Sequence, residues 1–405
     1  MYMVLISETG KAALRNAIDE FYEPCNKLAK WLTEHPEITG KEKESSRKIT
    51  EFLRQYGYEV EQNYCSLDNA FRAQKKIPGN KKKIALMCEF DALPEIGHAC
   101  GHSVSCGISI LSALAISRAF EDFEFQVDLI GTPMEEDGGG KIYIAERGGF
   151  NEYELAAMVH LSSVNIPYEK SLSITDMVAD FKGIAAHASD EPWNGRNAMN
   201  GVQLFYHAID MLRQHIEPDD QIHGIIQNCG AVPNVVPESA TALLFLRSAS
   251  LESLNKLYKR VEQCARGAAM ATETQVEVKT LTPPDKIYSG MVQLPTIKNF
   301  SEELFRNLGI DYVIKDRASG STDAGNVSRV IPTFHPYVQI GKDKNLVTHS
   351  REFAHAVAGK DGEQALMDGA VMLTALIAGL AENEDILKQI KLEHQQVKKD
   401  MDIQN

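Results

Sequence analysis

Positive charge is what this chain has too little of. Its 42 Lys and Arg stand against 56 Asp and Glu, a formal net charge of −14. Nucleic acids and anionic bilayers are held by basic surface, so neither is an expected partner. Long apolar runs are missing as well: nothing in the sequence approaches the roughly 20 uninterrupted apolar residues that span a bilayer. The opening M-Y-M-V-L-I-S-E-T-G-K lacks a basic stretch followed by an apolar one, so no signal peptide is expected. Cysteines number only seven, an odd count scattered along the chain, which is a poor basis for a disulfide framework. Reduced thiols and a cytoplasmic location are the expectation.

What is present is an ordinary globular composition, 43% hydrophobic and 24% charged, over 405 residues, enough for two domains. Leu14, Ile18, Phe21, Leu28 and Leu32, then Ile49, Phe52 and Leu53, recur at helical spacing on either side of a break at H-P-E near Pro36. From Lys83 strands and helices alternate: strand 84–90, helix 107–120, strand 125–131, strand 156–161. That order predicts an α/β fold, a mostly parallel sheet with helices on both faces. The pattern then changes to strand (172–182), helix (197–216), strand (224–231), strand (239–247), helix (251–270), strand (275–281). This is the β-α-β-β-α-β order of a ferredoxin-like unit. Residues 172–284 are therefore expected to form an inserted α+β domain, with 1–171 and 285–405 as the two segments of the main one. The second segment is expected to hold a helix over 294–308, short strands around Tyr312 and Tyr337, and a helix over 362–380; the charged tail from Glu382 reads as a helix or a frayed end.

The chemistry concentrates in four places. F-D-A-L-P-E-I-G-H-A-C-G-H, from Phe90 to His102, follows an apolar strand and puts Asp91, His98, Cys100 and His102 within a dozen residues. Thiolate, imidazole and carboxylate at the carboxyl end of a buried strand suit a metal site. G-T-P-M-E-E-D-G-G-G-K, from Gly131 to Lys141, also leaves a strand and carries adjacent carboxylates, Glu135 and Glu136. Neighbouring residues project differently, so one can hold a metal while the other handles a proton. His160 closes a further apolar run, and His349 in T-H-S-R-E-F precedes the last helix; each is weak alone, and they count as part of the set.

Taken together, these motifs resemble the co-catalytic metallopeptidases, a family that includes aminoacylases, glutamate carboxypeptidases and hydrolases of N-acyl amino acids. The D-A-L-P-x-I-G-H-A-C-G-H run is most similar to that of the aminoacylase-like dipeptidases and aminobenzoyl-glutamate hydrolases, and the resemblance extends from His35 to the last helix. It implies two divalent metal ions and hydrolysis of an amide bond beside a free carboxylate, with a small amide or dipeptide as substrate. By the same resemblance Cys100 takes the bridging position, His102, Glu136, His160 and His349 are the other ligands, and Glu135 is the catalytic carboxylate. Many members carry His two residues before the Asp of the first motif, where this chain has Glu89; in the Cys-ligand branch His102 takes over. Thiolate favours zinc, whereas that branch often works with manganese or cobalt. Asp91 would orient a ligand from outside the coordination sphere.

The resemblance also assigns roles in the inserted domain. His187, in K-G-I-A-A-H-A-S, would reach into a partner subunit's site and stabilise the oxyanion of a homodimer. Asn234, in V-P-N-V-V-P-E, and Arg247, in L-F-L-R-S, would meet the substrate carboxylate, which Arg can grip with two parallel bonds. G-S-T-D-A-G-N-V, with Ser321, Thr322 and Asp323, would line the site without a derivable role. Two other readings stand beside this one. An allantoate or carbamoyl-type amidohydrolase is disfavoured by C-G-H, since those relatives bridge with Asp; a metal-free binding protein is disfavoured by the complete ligand set.

Overall fold

The computed structural model describes residues 6–75, 81–120, 123–283 and 286–404. It divides into two compact units: 1–170, 291–316 and 322–405 in the first, 171–290 and 317–321 in the second. The short stretch Arg317–Ser321 thus goes with the second unit, and the return to the first falls at Gly290/Met291, a few residues beyond the position the sequence suggested.

The first unit begins with α1 (Glu8–Glu34) and α2 (Lys43–Gln55), followed by β1 (Glu59–Gln62), β2 (Phe71–Gln74) and β3 (Lys82–Cys88). Then come α3 (His102–Ala119), β4 (Phe125–Gly131), α4 (Gly140–Glu146), β5 (Leu155–Ala157) and β6 (His160–Ser162). The second unit supplies β7 (Ser173–Lys182), α5 (Ala198–Leu212), β8 (Gln221–Asn228), β9 (Ser239–Ser248), α6 (Leu251–Ala271) and β10 (Gln275–Lys279). The first unit resumes with α7 (Pro295–Leu308), α8 (Ala324–Val330), β11 (Thr333–Phe334) and β12 (Tyr337–Gln339). It ends in α9 (Arg351–Ala358), α10 (Lys360–Glu382) and α11 (Glu384–Gln404).

The main sheet has the order β1-β2-β4-β3-β5-β11. Its β4-β3-β5-β11 portion is parallel and its β1-β2 edge antiparallel. Both faces are covered, and β3 shows how. Ile84, Leu86 and Cys88 enter one core with residues of α1, α3 and α10, while Ala85 and Met87 enter another with residues of α4 and α8. An apolar strand with no polar alternation is what a two-sided burial demands. α10 is apolar and long enough, by length and composition, to cross a bilayer. Here it is a core helix, with Leu366, Leu373, Leu376, Ile377 and Leu380 fully buried.

Three local expectations are corrected. The run from Ala156 to Leu161 is two strands rather than one, because β5 pairs with β11 and β6 with β12. Pro336 lies between β11 and β12 and has no N–H to continue a ladder; the chain breaks there and His160 opens β6. No strand forms around Tyr312, whose ring instead meets Phe305 edge-on. The helix expected to begin at Gly107 begins at His102.

In the second unit β10-β7-β9-β8 form one antiparallel sheet. Phe181, Val202, Phe205, Leu244, Leu254, Leu257 and Val261 join that sheet to α5 and α6 in a core of their own. β8 is an edge strand, and Ile225 and Ile226 on it are 59% and 44% exposed.

Candidate active site

Three loops that leave the strands of the first unit, and the start of β6, carry the polar groups that the sequence singled out. The loop after β3 carries Asp91, Cys100 and His102. Gly101, between the last two, has φ +90°, and a Cβ there would lie 2.8 Å from Leu161 Cδ2; only glycine allows the chain to turn into α3 so close to β6. The loop after β4 carries Glu135 and Glu136, and Met134 before them has φ +66°. Its path is pinned from the H-P-E-I-T-G-K-E segment: the buried Glu42 carboxylate accepts the N–H groups of Gly40 and Met134, at 2.9 and 3.0 Å. His160 opens β6. His349, with φ +66°, is held by its own N–H bonding to Ala99 O at 2.9 Å.

These residues converge. Among the described residues, Cys100, His102 and His160 form one group whose potential ligand atoms all lie within 4.8 Å of one another, and Cys100, Glu136 and His349 form a second. The thiol of Cys100 belongs to both. A third group joins His102, Glu135 and Glu136. Cys100 Sγ is 3.4 Å from His160 Nε2, and His349 Nε2 is 3.5 Å from Glu136 Oε2. All are buried except Glu136, which is partly so, and His349, half-exposed at the rim.

Asp91 lies outside these groups and braces them. One carboxylate oxygen is 3.1 Å from His102 Nδ1, and Asp91 O lies 3.0 Å from the same nitrogen. Two acceptors at Nδ1 place the proton there and leave Nε2 with its lone pair toward the cluster. The other oxygen accepts from Glu136 N at 2.9 Å and from Thr39 Oγ1 at 2.9 Å.

The donor set fits divalent metal ions. Two ligand triads share one sulfur, and His102 Nε2 and Glu136 Oε1 are buried without a hydrogen-bond partner, which is costly unless a cation takes them. Burial and then the neighbouring Glu89 push the Glu135 carboxyl well above the usual range. Glu136 goes the other way: burial would raise it, but His349 and His102 outweigh that and lower it.

Comparison with known proteins decides what kind of centre this is. The chain is 32% identical over 408 residues to human Xaa-Arg dipeptidase, covering 95% of this chain and 92% of that protein. The chain belongs to the M20 family of metal-dependent peptidases. It is a hydrolase of that family. The family described as peptidase dimerisation domain matches residues 172–273, in the second unit. One of the p-aminobenzoyl-glutamate hydrolase subunits of Escherichia coli is 29% identical, over 73% of this chain and 64% of its own. In fold, the chain is similar to a dinuclear metal binding M20 peptidase of Bacillus subtilis, with a TM-score of 0.69, 20% identity, and 90% and 99% of the two chains covered.

Of the remaining site candidates, His187, Asn234, Arg247 and Ser321 belong to the second unit. His187 is exposed, its Nδ1 accepting from Ser189 Oγ at 3.3 Å. Its strand-like segment runs beside the one that carries Asn234, with Ala188 N bonding to Asn234 O at 3.0 Å. Arg247, on β9, donates to Ser321 Oγ at 2.8 Å and to His223 Nε2 at 3.3 Å. Asp323, in the first unit, acquires a role the sequence did not supply: it binds Lys141, whose Nζ is 2.6 Å from Asp323 Oδ1 and 2.5 Å from Glu89 Oε1. Sequence reading passed over Lys141, although a lysine ending an E-E-D-G-G-G run between a strand and a helix was a signal that its charge had nearby partners.

Proposed function

We propose that this protein hydrolyses dipeptides or N-acyl amino acids that end in a free carboxylate, using two divalent ions held in the first unit. The observation that carries the reading is the thiol of Cys100, shared by two ligand triads with Glu135 alongside. Cys100 would bridge, with His102, His160, Glu136 and His349 completing the two sites; zinc, manganese and cobalt all suit these donors. When bound, such ions supply the positive charge that acidifies a water and polarises an amide carbonyl.

The chain's own residues do the rest. Glu135, with its raised proton affinity, takes the proton from the attacking water and returns it to the departing amine. Asp91 fixes the tautomer of His102 and the backbone of Glu136 in one contact set. Arg247, already oriented by Ser321, suits a substrate carboxylate, with Asn234 beside it in this role. His187 would donate to the oxyanion of a partner subunit's site. The exposed apolar edge strand β8 and the dimerisation-domain match support a homodimer formed through the second unit, since an open edge is a natural pairing surface.

The similarity to human Xaa-Arg dipeptidase over nearly the full length favours dipeptides with a basic C-terminal residue over aminobenzoyl-glutamate. The test is a release assay with the metal-loaded protein over Xaa-Arg and Xaa-Lys dipeptides, p-aminobenzoyl-glutamate and N-acyl-glutamines. Turnover of the basic dipeptides at the highest kcat/KM is expected; absence of amide hydrolysis across the panel with zinc, manganese and cobalt rejects the reading.

A further inference from the structure

Beside the two shared-sulfur triads lies a cluster of another kind. Potential ligand atoms of Glu89, Glu135 and Asp323 lie within 4.8 Å of one another, and all three residues are buried. Carboxylate oxygens gathered in this way are hard donors of the type that hold magnesium, calcium or manganese. Buried together without a cation they would repel one another strongly.

A cation is there, and it is part of the chain. The Lys141 side chain is fully buried, with Nζ 2.5 Å from Glu89 Oε1 and 2.6 Å from Asp323 Oδ1. Its backbone is tied to the same cluster, because Lys141 N donates to Asp323 Oδ2 at 2.9 Å. Gly140 lets this backbone approach: a Cβ on it would come within 1.8 Å of Pro133 O. The loop holding Glu135 is thus closed at its far end by a lysine that returns to Glu135's own carboxylate cluster.

We propose that Lys141 is a positioning residue whose ammonium takes the place a third divalent ion would otherwise fill among Glu89, Glu135 and Asp323, so that Glu135 stays off the metals and keeps its capacity to carry a proton. The adjacent glutamates share one group with His102 and differ in their other: Glu136 also joins Cys100 and His349, whereas Glu135 also joins Glu89 and Asp323 beside a fixed monovalent charge. A metal ion in that position would claim a Glu135 oxygen as a ligand; a tethered ammonium supplies the neutralising charge without competing for it. The inference rests on the reading of Glu135 as the proton carrier.

The test counts ions in the absence of substrate. Full-length wild type, Lys141→Met, Lys141→Gln, Lys141→Arg and the double variant Lys141→Met/Glu89→Gln are dialysed to equilibrium against excess Mn2+, and manganese per chain is measured by mass spectrometry. Lys141→Met and Lys141→Gln should hold one ion more than wild type; Lys141→Arg and the double variant should match wild type. In loaded Lys141→Met and Lys141→Gln kcat should fall about 100-fold, the low end of a general-base contribution, with KM within a few-fold. If a single variant folds only when refolded in Mn2+, and the double variant has no such need, that dependence is the expected result in another form. An unchanged ion count in a folded Lys141→Met or Lys141→Gln overturns the inference, as does failure of both to refold with Mn2+. The underlying reading fails separately: an active Glu135→Gln protein would remove the proton carrier without altering any ion count.

Discussion

One carboxylate of Asp91 holds His102 and Glu136 at once: an oxygen lies 3.1 Å from His102 Nδ1 and the other accepts Glu136 N at 2.9 Å. Two residues that follow different strands are thereby set to a common frame, and a third, Thr39, closes the bracket from the H-P-E-I-T segment at 2.9 Å. An amide in place of this carboxylate can satisfy Glu136 N, but its NH2 group then faces a nitrogen that must itself donate. Asp91→Asn should weaken metal affinity about 10- to 100-fold, the usual cost of losing such a partner, with little loss of folded protein. Competition with a chromogenic chelator measures it; wild-type affinity in the variant would show that Asp91 O alone orients the ring.

Glu135 and Glu136 are neighbours with opposed environments, and their variants should separate accordingly. Glu135→Gln should keep both ions and lose about 100- to 10,000-fold in kcat, the range for a lost general base. Glu136→Gln should lose metal first, and activity with it. Metal content by mass spectrometry, read beside kcat, distinguishes the two; equal metal loss in both variants would mean the roles are not divided.

Much of this was legible in the sequence because it is local. C-G-H places its donors through one glycine-permitted turn, E-E follows a strand end, and the β-α-β-β-α-β order of the second unit is a pattern of periodicities. What was not legible depends on partners far apart in the chain. Lys141 and Asp323 are separated by 182 positions, and nothing in either segment announces the other; Asp323 could be named as lining the site without a reason. Glu42 shows the same gap, since a buried carboxylate accepting Met134 N at 3.0 Å reads in sequence as an ordinary helix-start glutamate. The split of β5 from β6 was hidden for a different reason. Ala156 to Val159 is uniformly apolar, and the break is imposed by Pro336 on the paired segment rather than by any residue in the run.

Acid should act on the second unit through Asp176. This buried carboxylate on β7 accepts Leu281 N at 2.6 Å, Thr282 N at 2.8 Å and Thr280 Oγ1 at 3.0 Å, pinning the chain that leaves β10. Burial alone would raise its proton affinity, but these bonds from Thr282, Leu281 and Thr280 outweigh burial and lower it. A lowered carboxyl stabilises the fold fully above its unfolded value of about 3.9 and loses that contribution as the pH falls through the lower folded value. Asp176→Asn should therefore cost about 1.5–3 kcal/mol near neutral pH, the range for hydrogen bonds to a charged group. The gap between wild type and variant should narrow as the pH drops below about 4. Thermal unfolding from pH 7 to pH 3 follows it, and a gap that stays constant across that range would show that the ionised form is not what matters.

The last prediction concerns assembly. His187 is exposed on the second unit, held by Ser189 Oγ at 3.3 Å, and the proposed oxyanion role requires it to act in a partner subunit's site. Separate Glu135→Gln and His187→Ala proteins should each be nearly inactive, by about 100-fold or more for the lost base or donor. Mixed, unfolded and refolded together with metal, they should regain activity. In a heterodimer formed by reciprocal exchange, one site combines an intact Glu135 from the His187→Ala chain with an intact His187 from the Glu135→Gln chain, and the other site lacks both. With random pairing half the dimers are of this kind, and each holds one complete site, so about a quarter of wild-type activity is expected from a closed two-fold assembly. Differently tagged chains, co-purified, establish that heterodimers have formed. Heterodimers without recovered activity would place His187 in its own subunit's site or outside catalysis, and the two-fold exchange would have to be abandoned.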